Sequence, residues 1–328
     1  MLQWWTDVFS QAQQWLFEAV VQPVVFALGM GNLLEDAFRA TGWLLVGLIQ
    51  IAVMLALIAP LQRWRPVEAV TDRAAIRTDI LYTLIHRLGL FRLVLFFALD
   101  PLFDTLFGLA RVEGLRTFHL DEWFGGWWPG VTDHALVSFA LYLVVFDFVD
   151  YWIHRGQHQF NWWWSLHALH HSQRQMTMWS DNRNHLLDDV LRDIIIVIVA
   201  QLIGIAPAQF VAVVAFTQLS ESFQHANLRL WFGPVGERLW ISPRFHRRHH
   251  SIGIGHESHG PQTLGGCNFG VLLPWWDMLF GTADFQLRYD ATGIRDQVEP
   301  DKQGRLRDYG SGFLQQQWRG VLRLLGRA

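Results

Sequence analysis

The chain has 328 residues, of which 51% are hydrophobic and 17% charged, with a net charge of −3. Globular chains carry about 25% charged residues. That deficit and 18 tryptophans point to a membrane protein, since Trp concentrates at membrane interfaces. The slight negative charge argues against a nucleic-acid partner, and the single cysteine, Cys267, excludes an internal disulfide and a thiolate metal site.

The N-terminal stretch MLQWWTDVFSQAQQW has no basic region followed by an apolar run, so no cleavable signal peptide is expected. Residues 4–30 mix Trp, Phe and Val with Gln, Asp and Glu. This suits either a helix in the membrane interface or one packed on the protein. Residues 42–61 (GWLLVGLIQIAVMLALIAPL) carry no charge and are long enough to cross a bilayer. Arg63, Arg65, Arg73 and Arg77 follow, and the positive-inside rule puts them in the cytoplasm. Residues 80–107 read as a second span, interrupted by His86, Arg87, Arg92, Asp100 and Pro101. His86 is expected to be a polar contact within a helix bundle. Residues 108–132 read as a loop anchored by Trp123, Trp127 and Trp128, with His119 and His134 structural.

Residues 134–153 form a third expected span, whose last turns hold Asp147 and Asp150. Acids at the end of a span are costly and usually functional. Asp150 precedes His154 by one helical turn. It is expected to accept the free ring N–H of His154, a common way to orient a ligand histidine; the alternative is a surface acid at the membrane edge. Asp147, one turn earlier, is the weaker candidate for that role.

The segment DYWIHRGQHQFNWWWSLHALHHS, residues 150–172, holds His154 and His158 as H-x3-H, then His167, His170 and His171 as H-x2-HH. Residues three and four apart share a helix face, so each cluster should present its imidazoles together. Trp162, Trp163 and Trp164, between the clusters, would either seat the segment at the headgroups or wall the site. A polar stretch with His185 follows. Residues 190–220 are apolar and broken at 204–207, as in a hairpin dipping into the membrane or two tilted spans. Either returns His225 to the side of the first clusters. The third cluster, SPRFHRRHHS at 242–251, holds His246, His249 and His250. His256 and His259 lie in a Gly-containing loop and are not expected to be ligands. Residues 313–325 form a basic amphipathic segment suited to an anionic membrane surface.

Three histidine clusters beside membrane segments, all on one expected side, make a metal site, and imidazole suits iron, zinc and copper. A chance run of surface histidines explains one cluster but not three. A structural zinc takes four ligands, so eight or more histidines imply two metals.

The stretches DFVDYWIHRGQH, WSLHALHHS, FQHANLRL, SPRFHRRHHS and CNFGVLLPWWDMLFGT, in that order, strongly resemble the sterol desaturase and fatty acid hydroxylase superfamily over about residues 140–283. The resemblance implies an all-α integral membrane enzyme of about four transmembrane helices, one pair of them a possible re-entrant hairpin. A cytoplasmic helical cap would hold two iron ions that use O2 and two electrons. By similarity, the metal ligands are His154, His158, His167, His170, His171, His246, His249 and His250, with His225 completing the site. His185 falls where bacterial members place a further histidine, though the usual R-x-H-P reads Arg183-Asn184-His185-Leu186 here.

The implied organisation is an N-terminal segment with the first spans (1–139), a catalytic domain (140–283) and a tail (284–328). The implied reaction is hydroxylation or desaturation of a lipid C–H bond, on a sterol, fatty acyl chain, carotenoid or bacterial amino lipid. No flavin, haem or ferredoxin motif is present, so electrons would come from a separate ferredoxin- or cytochrome b5-like donor. With Lys302 the only lysine among many arginines, a GC-rich bacterial genome and an inner-membrane location are expected. The competing readings are a dizinc membrane lipid hydrolase, which needs no O2, and a bis-histidine haem or metal-carrier protein.

Overall fold

The computed structural model describes residues 2–91, 100–114, 118–254 and 266–327. His256 and His259, and part of the second expected span, lie outside the described residues. Among the described residues the chain is helical, with only isolated β-bridges at Ser251–Thr292 and Ile252–Ile254. It divides into two compact units, Met1–Val53 with Leu84–Ala110, and Met54–Thr83 with Arg111–Ala328. The sequence shows no such boundary. Every histidine of the three clusters belongs to the second unit.

Helix α1 (Leu2–Leu16) runs on through a π turn at Phe17–Val21 into Gln22–Ala27. Helix α2 (Gly31–Trp64) is long and apolar enough to cross a membrane and contains a second π turn at Met54–Ile58. Both π turns lie just before a proline, Pro23 or Pro60. Proline has no N–H and its ring crowds the preceding turn; the wider turn relieves that crowding without ending the helix.

Helix α3 (Arg73–Arg87) stops at a left-handed Gly89 with φ of 77°, a conformation only glycine adopts without strain. The expected span at 80–107 is therefore not one continuous helix. Helices α4 (Asp100–Val112) and α5 (Leu120–Trp127) follow.

Helix α6 (Ala135–Gln159) is the second helix able to span a membrane by length and composition. It ends at Phe160, whose extended backbone makes a corner into α7 (Asn161–His171). The corner is tight because Gly156 has no side chain; a Cβ there would lie 3.1 Å from the Trp163 ring.

Helices α8 (Leu186–Ile203) and α9 (Pro207–Gln224) form the hairpin that Gly204 and Pro207 foreshadow. Gly204 closes α8 with φ of 67°, and Pro207 opens α9 at the position where a missing N–H costs nothing. A core of Tyr142, Phe146, Ile153, Ile196 and Val213 packs α6 against both arms. Helix α10 (Pro243–His249) is capped by the Ser242 hydroxyl, which accepts from Phe245 N at 3.1 Å. Helices α11 (Trp275–Leu279) and α12 (Phe313–Leu324) complete the chain.

Helix α12 packs against α7, burying Gln316, Gly320 and Arg323. One face of the expected surface segment is thus taken up by the protein; Leu314 and Trp318 remain exposed.

Candidate metal centre

Four elements bring the histidines together: the end of α6, helix α7, the residue after α9, and α10 with His250. Two groups result. His154, His158, His171 and His249 have ligand atoms within 4.8 Å of one another, as do His170, His225, His246 and His250, and all eight are buried.

These groups cut across the clusters seen in the sequence. His170 and His171 are neighbours in the chain yet belong to different groups, and so do His249 and His250. Successive residues on a helix point about 100° apart, so each doublet serves two centres. The groups meet where His171 and His250 stack at 4.2 Å. His167 stands beside both, its ring 5.0 Å from His158 and 5.2 Å from His170.

Backbone carbonyls set the tautomers. A carbonyl oxygen can only accept, so each ring nitrogen facing one carries the proton. His154 Nδ1 donates to Phe269 O at 2.8 Å, His249 Nδ1 to Cys267 O at 2.7 Å, and His225 Nδ1 to Glu221 O at 2.8 Å. In each ring the Nε2 lone pair is then free for a metal. Asp188 does the same for His167, whose Nδ1 lies 3.0 Å from Oδ2. Its Oδ1 accepts from Gln157 Nε2 and Trp163 Nε1.

In the second group, Nε2 of His225 lies 3.2 Å from that of His170 and 3.1 Å from that of His246, which is 3.1 Å from His250 Nε2. Nitrogens bonded to one ion at about 2.0–2.1 Å lie roughly 2.9–3.4 Å apart, so this spacing fits. In and beside the first group, Nε2 of His158, His167, His171 and His249 is buried with no hydrogen-bond partner. Buried polar atoms are nearly always paired, and a shared metal ion would satisfy these. Burial, helped by neighbouring imidazoles, holds His170, His171, His246 and His250 well below the ordinary histidine pKa, and burial pushes His249 down to about 3. The rings are neutral at pH 7, as metal ligation requires.

The model of the family described as fatty acid hydroxylase matches residues 139–282, which include all nine of these histidines. Over those residues, under half of the chain, the sequence is similar to the fatty acid hydroxylase family. An ornithine lipid hydroxylase of Rhizobium tropici is 27% identical over 79% of this chain and 73% of its own length. A fatty acid hydroxylase of Lecanicillium is 23% identical over 52% of this chain and 47% of its own. The alkylglycerol monooxygenase of Caenorhabditis elegans is 27% identical over 44% of this chain and 26% of its own. The match thus spans most of the first relative and less than half of the other two. No solved structure matches the chain.

Two expected site residues stand elsewhere. His185 joins neither group. It caps α8, its Nδ1 accepting from Leu187 N at 3.2 Å and its Nε2 pairing with Gln317 O at 2.9 Å. With both nitrogens engaged, the ring has none left for a metal. Asp150 does not hold His154, whose Nδ1 goes to Phe269 O. It pairs instead with Arg192 Nε at 3.0 Å, and Arg192 also reaches Glu221 at 3.5 Å. The i, i+4 spacing is right, but the loop backbone at 269 has the closer approach. Asp147 accepts from Leu272 N, Leu273 N and Trp276 Nε1, pinning that loop to α6.

The sequence reading missed Asp188 and the three carbonyls. Asp188 carried a signal: an acid in the first turn of an apolar helix, shortly after a histidine cluster. The carbonyls carried none, since any residue supplies one. The tryptophans divide their roles. Trp164 walls the site, its ring 5.1 Å from His158, while Trp163 reaches it through Asp188, and Trp162 stacks outside Trp163 at 5.2 Å and is half exposed.

Proposed function

We propose that the chain is an O2-dependent lipid hydroxylase that holds two iron ions, one in each histidine group. The pairing of two four-histidine groups within the matched family segment carries this reading. His154, His158, His171 and His249, with His167 beside them, would hold one ion; His170, His225, His246 and His250 would hold the other. When bound, two irons supply the activation of O2 needed to attack an unactivated C–H bond.

The chain's own residues prepare the site. The carbonyls of Phe269, Cys267 and Glu221, with Asp188, keep Nε2 of four rings unprotonated and aimed inward. Burial keeps bulk water from the site. The apolar helices α6, α8 and α9 beside it suit a lipid chain arriving from the membrane. The name of the first relative makes an acylated amino-acid lipid the first substrate to try, and a simpler acyl lipid the second. The relatives are named hydroxylases and monooxygenases, which favours oxygen insertion over hydrolysis and over desaturation.

The topology we propose has about four crossings: α2, the 80–107 segment, α6, and the α8–α9 hairpin counted as a re-entrant pair. The metal site would face the cytoplasm of a bacterial inner membrane. Residues 140–283 would be the catalytic domain, with 1–139 and 284–328 flanking it, and a separate ferredoxin- or cytochrome b5-like protein would supply electrons.

The test is turnover of a candidate acyl lipid under isotopically labelled O2 with a reductant. Label in a new hydroxyl group, lost in His170→Ala while the protein still inserts, is the expected result. Anaerobic turnover of a lipid ester would overturn the reading in favour of a hydrolase.

A further inference from the structure

One short loop, residues 267–270, supplies two of the three carbonyls that set histidine tautomers. Cys267 O accepts from His249 and Phe269 O from His154, and those two rings lie 4.4 Å apart in the first group. Asn268 stands between the two carbonyls with a φ of 57°. Among the described residues it is the only non-glycine with a positive φ. Few side chains tolerate that region, asparagine better than most, so the backbone there has to be held.

Two buried side chains hold it. The Asn268 amide makes three bonds: Nδ2 donates to Phe245 O at 3.0 Å and to Asp284 O at 3.1 Å, and Oδ1 accepts from Asp284 N at 2.6 Å. Phe245 lies on α10, one turn before His249. The same side chain therefore joins the loop to the helix whose histidine the loop serves. The Asp277 carboxylate holds the next two residues. Its Oδ1 accepts from Phe269 N at 2.8 Å and from Thr282 Oγ1 at 2.6 Å, and its Oδ2 from Gly270 N at 2.7 Å. Successive N–H groups converging on one anion form a backbone nest; here the anion belongs to the chain itself. Gly270 makes room for it, since a Cβ there would lie 2.9 Å from Asp277 Oδ2.

The second group is served differently. The carbonyl that faces His225 is Glu221 O, four residues earlier on α9. That tautomer is set along one helix and owes nothing to the loop.

We propose that Asn268 and Asp277 are positioning residues of the first histidine group. Together they fix the loop whose carbonyls hold the Nδ1 protons of His249 and His154, and so keep the first metal ion bound. The proposal rests on the reading that each group holds one ion. Without the clamp the two carbonyls shift, the rings lose their fixed orientation, and each Nε2 lone pair is no longer aimed at the ion. Outer partners of ligand histidines act on metal affinity in this way.

The test uses full-length protein in detergent, loaded anaerobically with ferrous iron, and competition with a chelator. Asn268→Val and Asp277→Asn should each weaken retention of one ion by about 10–100-fold and leave the other at wild-type strength. Asn268→Gly, which permits the positive φ, should retain that ion more tightly than Asn268→Val. Combining Asp277→Asn with His246→Ala, which breaks the second group, should leave neither ion tightly held and so assigns the weakened ion to the first group. Asp277→Asn keeps the shape of the side chain and decides the question alone where Asn268→Val does not fold. Wild-type retention of both ions in Asp277→Asn overturns the positioning role, and so does equal weakening of both, which marks a general structural effect. A wild-type protein that takes up no metal overturns the metal-centre reading instead.

Discussion

Asp188 sits 3.0 Å from His167 Nδ1 and at the same time accepts from Gln157 on α6 and Trp163 on α7. One carboxylate from the start of α8 thus ties together three helices and aims the histidine nearest both groups. Outer partners of this kind typically affect metal affinity by about 10–100-fold. Asp188→Ala should weaken metal retention by roughly that factor, measured by competition with a chelator. Asp150→Ala, which breaks an ion pair with Arg192 instead, should leave metal retention near wild type.

The division of the doublets predicts that His170→Ala and His171→Ala damage different centres. Each should cut metal content from two ions per chain towards one, while the double variant should fall further. Elemental analysis of the purified variants checks this. Loss confined to the same single ion in both would show that the doublet serves one centre.

His185 offers the opposite expectation. Its ring caps α8 and ties α8 to α12 through Gln317. Removing a cap costs about 1 kcal/mol. His185→Ala should lower the melting temperature and leave the metal content unchanged.

Cys267 gives a test by pH. Burial first, then the Asp284 carboxylate, pushes its thiol up to about 12. Only the thiolate reacts, so the thiol form should persist through neutral and mildly alkaline pH. As the chain's one cysteine, it should take up iodoacetamide slowly at pH 8 and faster as pH rises towards 12. Labelling at the rate of a free thiol at pH 8 would contradict the observed surroundings.

Local features were legible where a residue type has one physical use. Gly204 and Pro207 end and begin helices wherever they occur in such a pattern, and the hairpin they imply is present. The uncharged run at 42–61 lies within α2 for the same reason. Roles that depend on which elements come together were not legible. His154 has an acid one turn before it, yet a loop carbonyl more than a hundred residues away reaches its ring first. His185 has the look of a ligand and acts as a cap because α12, the far end of the chain, lies against it.

The doublets also limit where the chain can change length. Adding one residue within α7, between His167 and His170, would turn the following part of the helix by about 100°, exchanging which ring faces which centre. Such an insertion would alter the site without removing a single ligand. The same holds for α10 between His246 and His249. Length variation in relatives that keep both centres should therefore collect outside α7 and α10, in connections such as the one from His225 to Ser242.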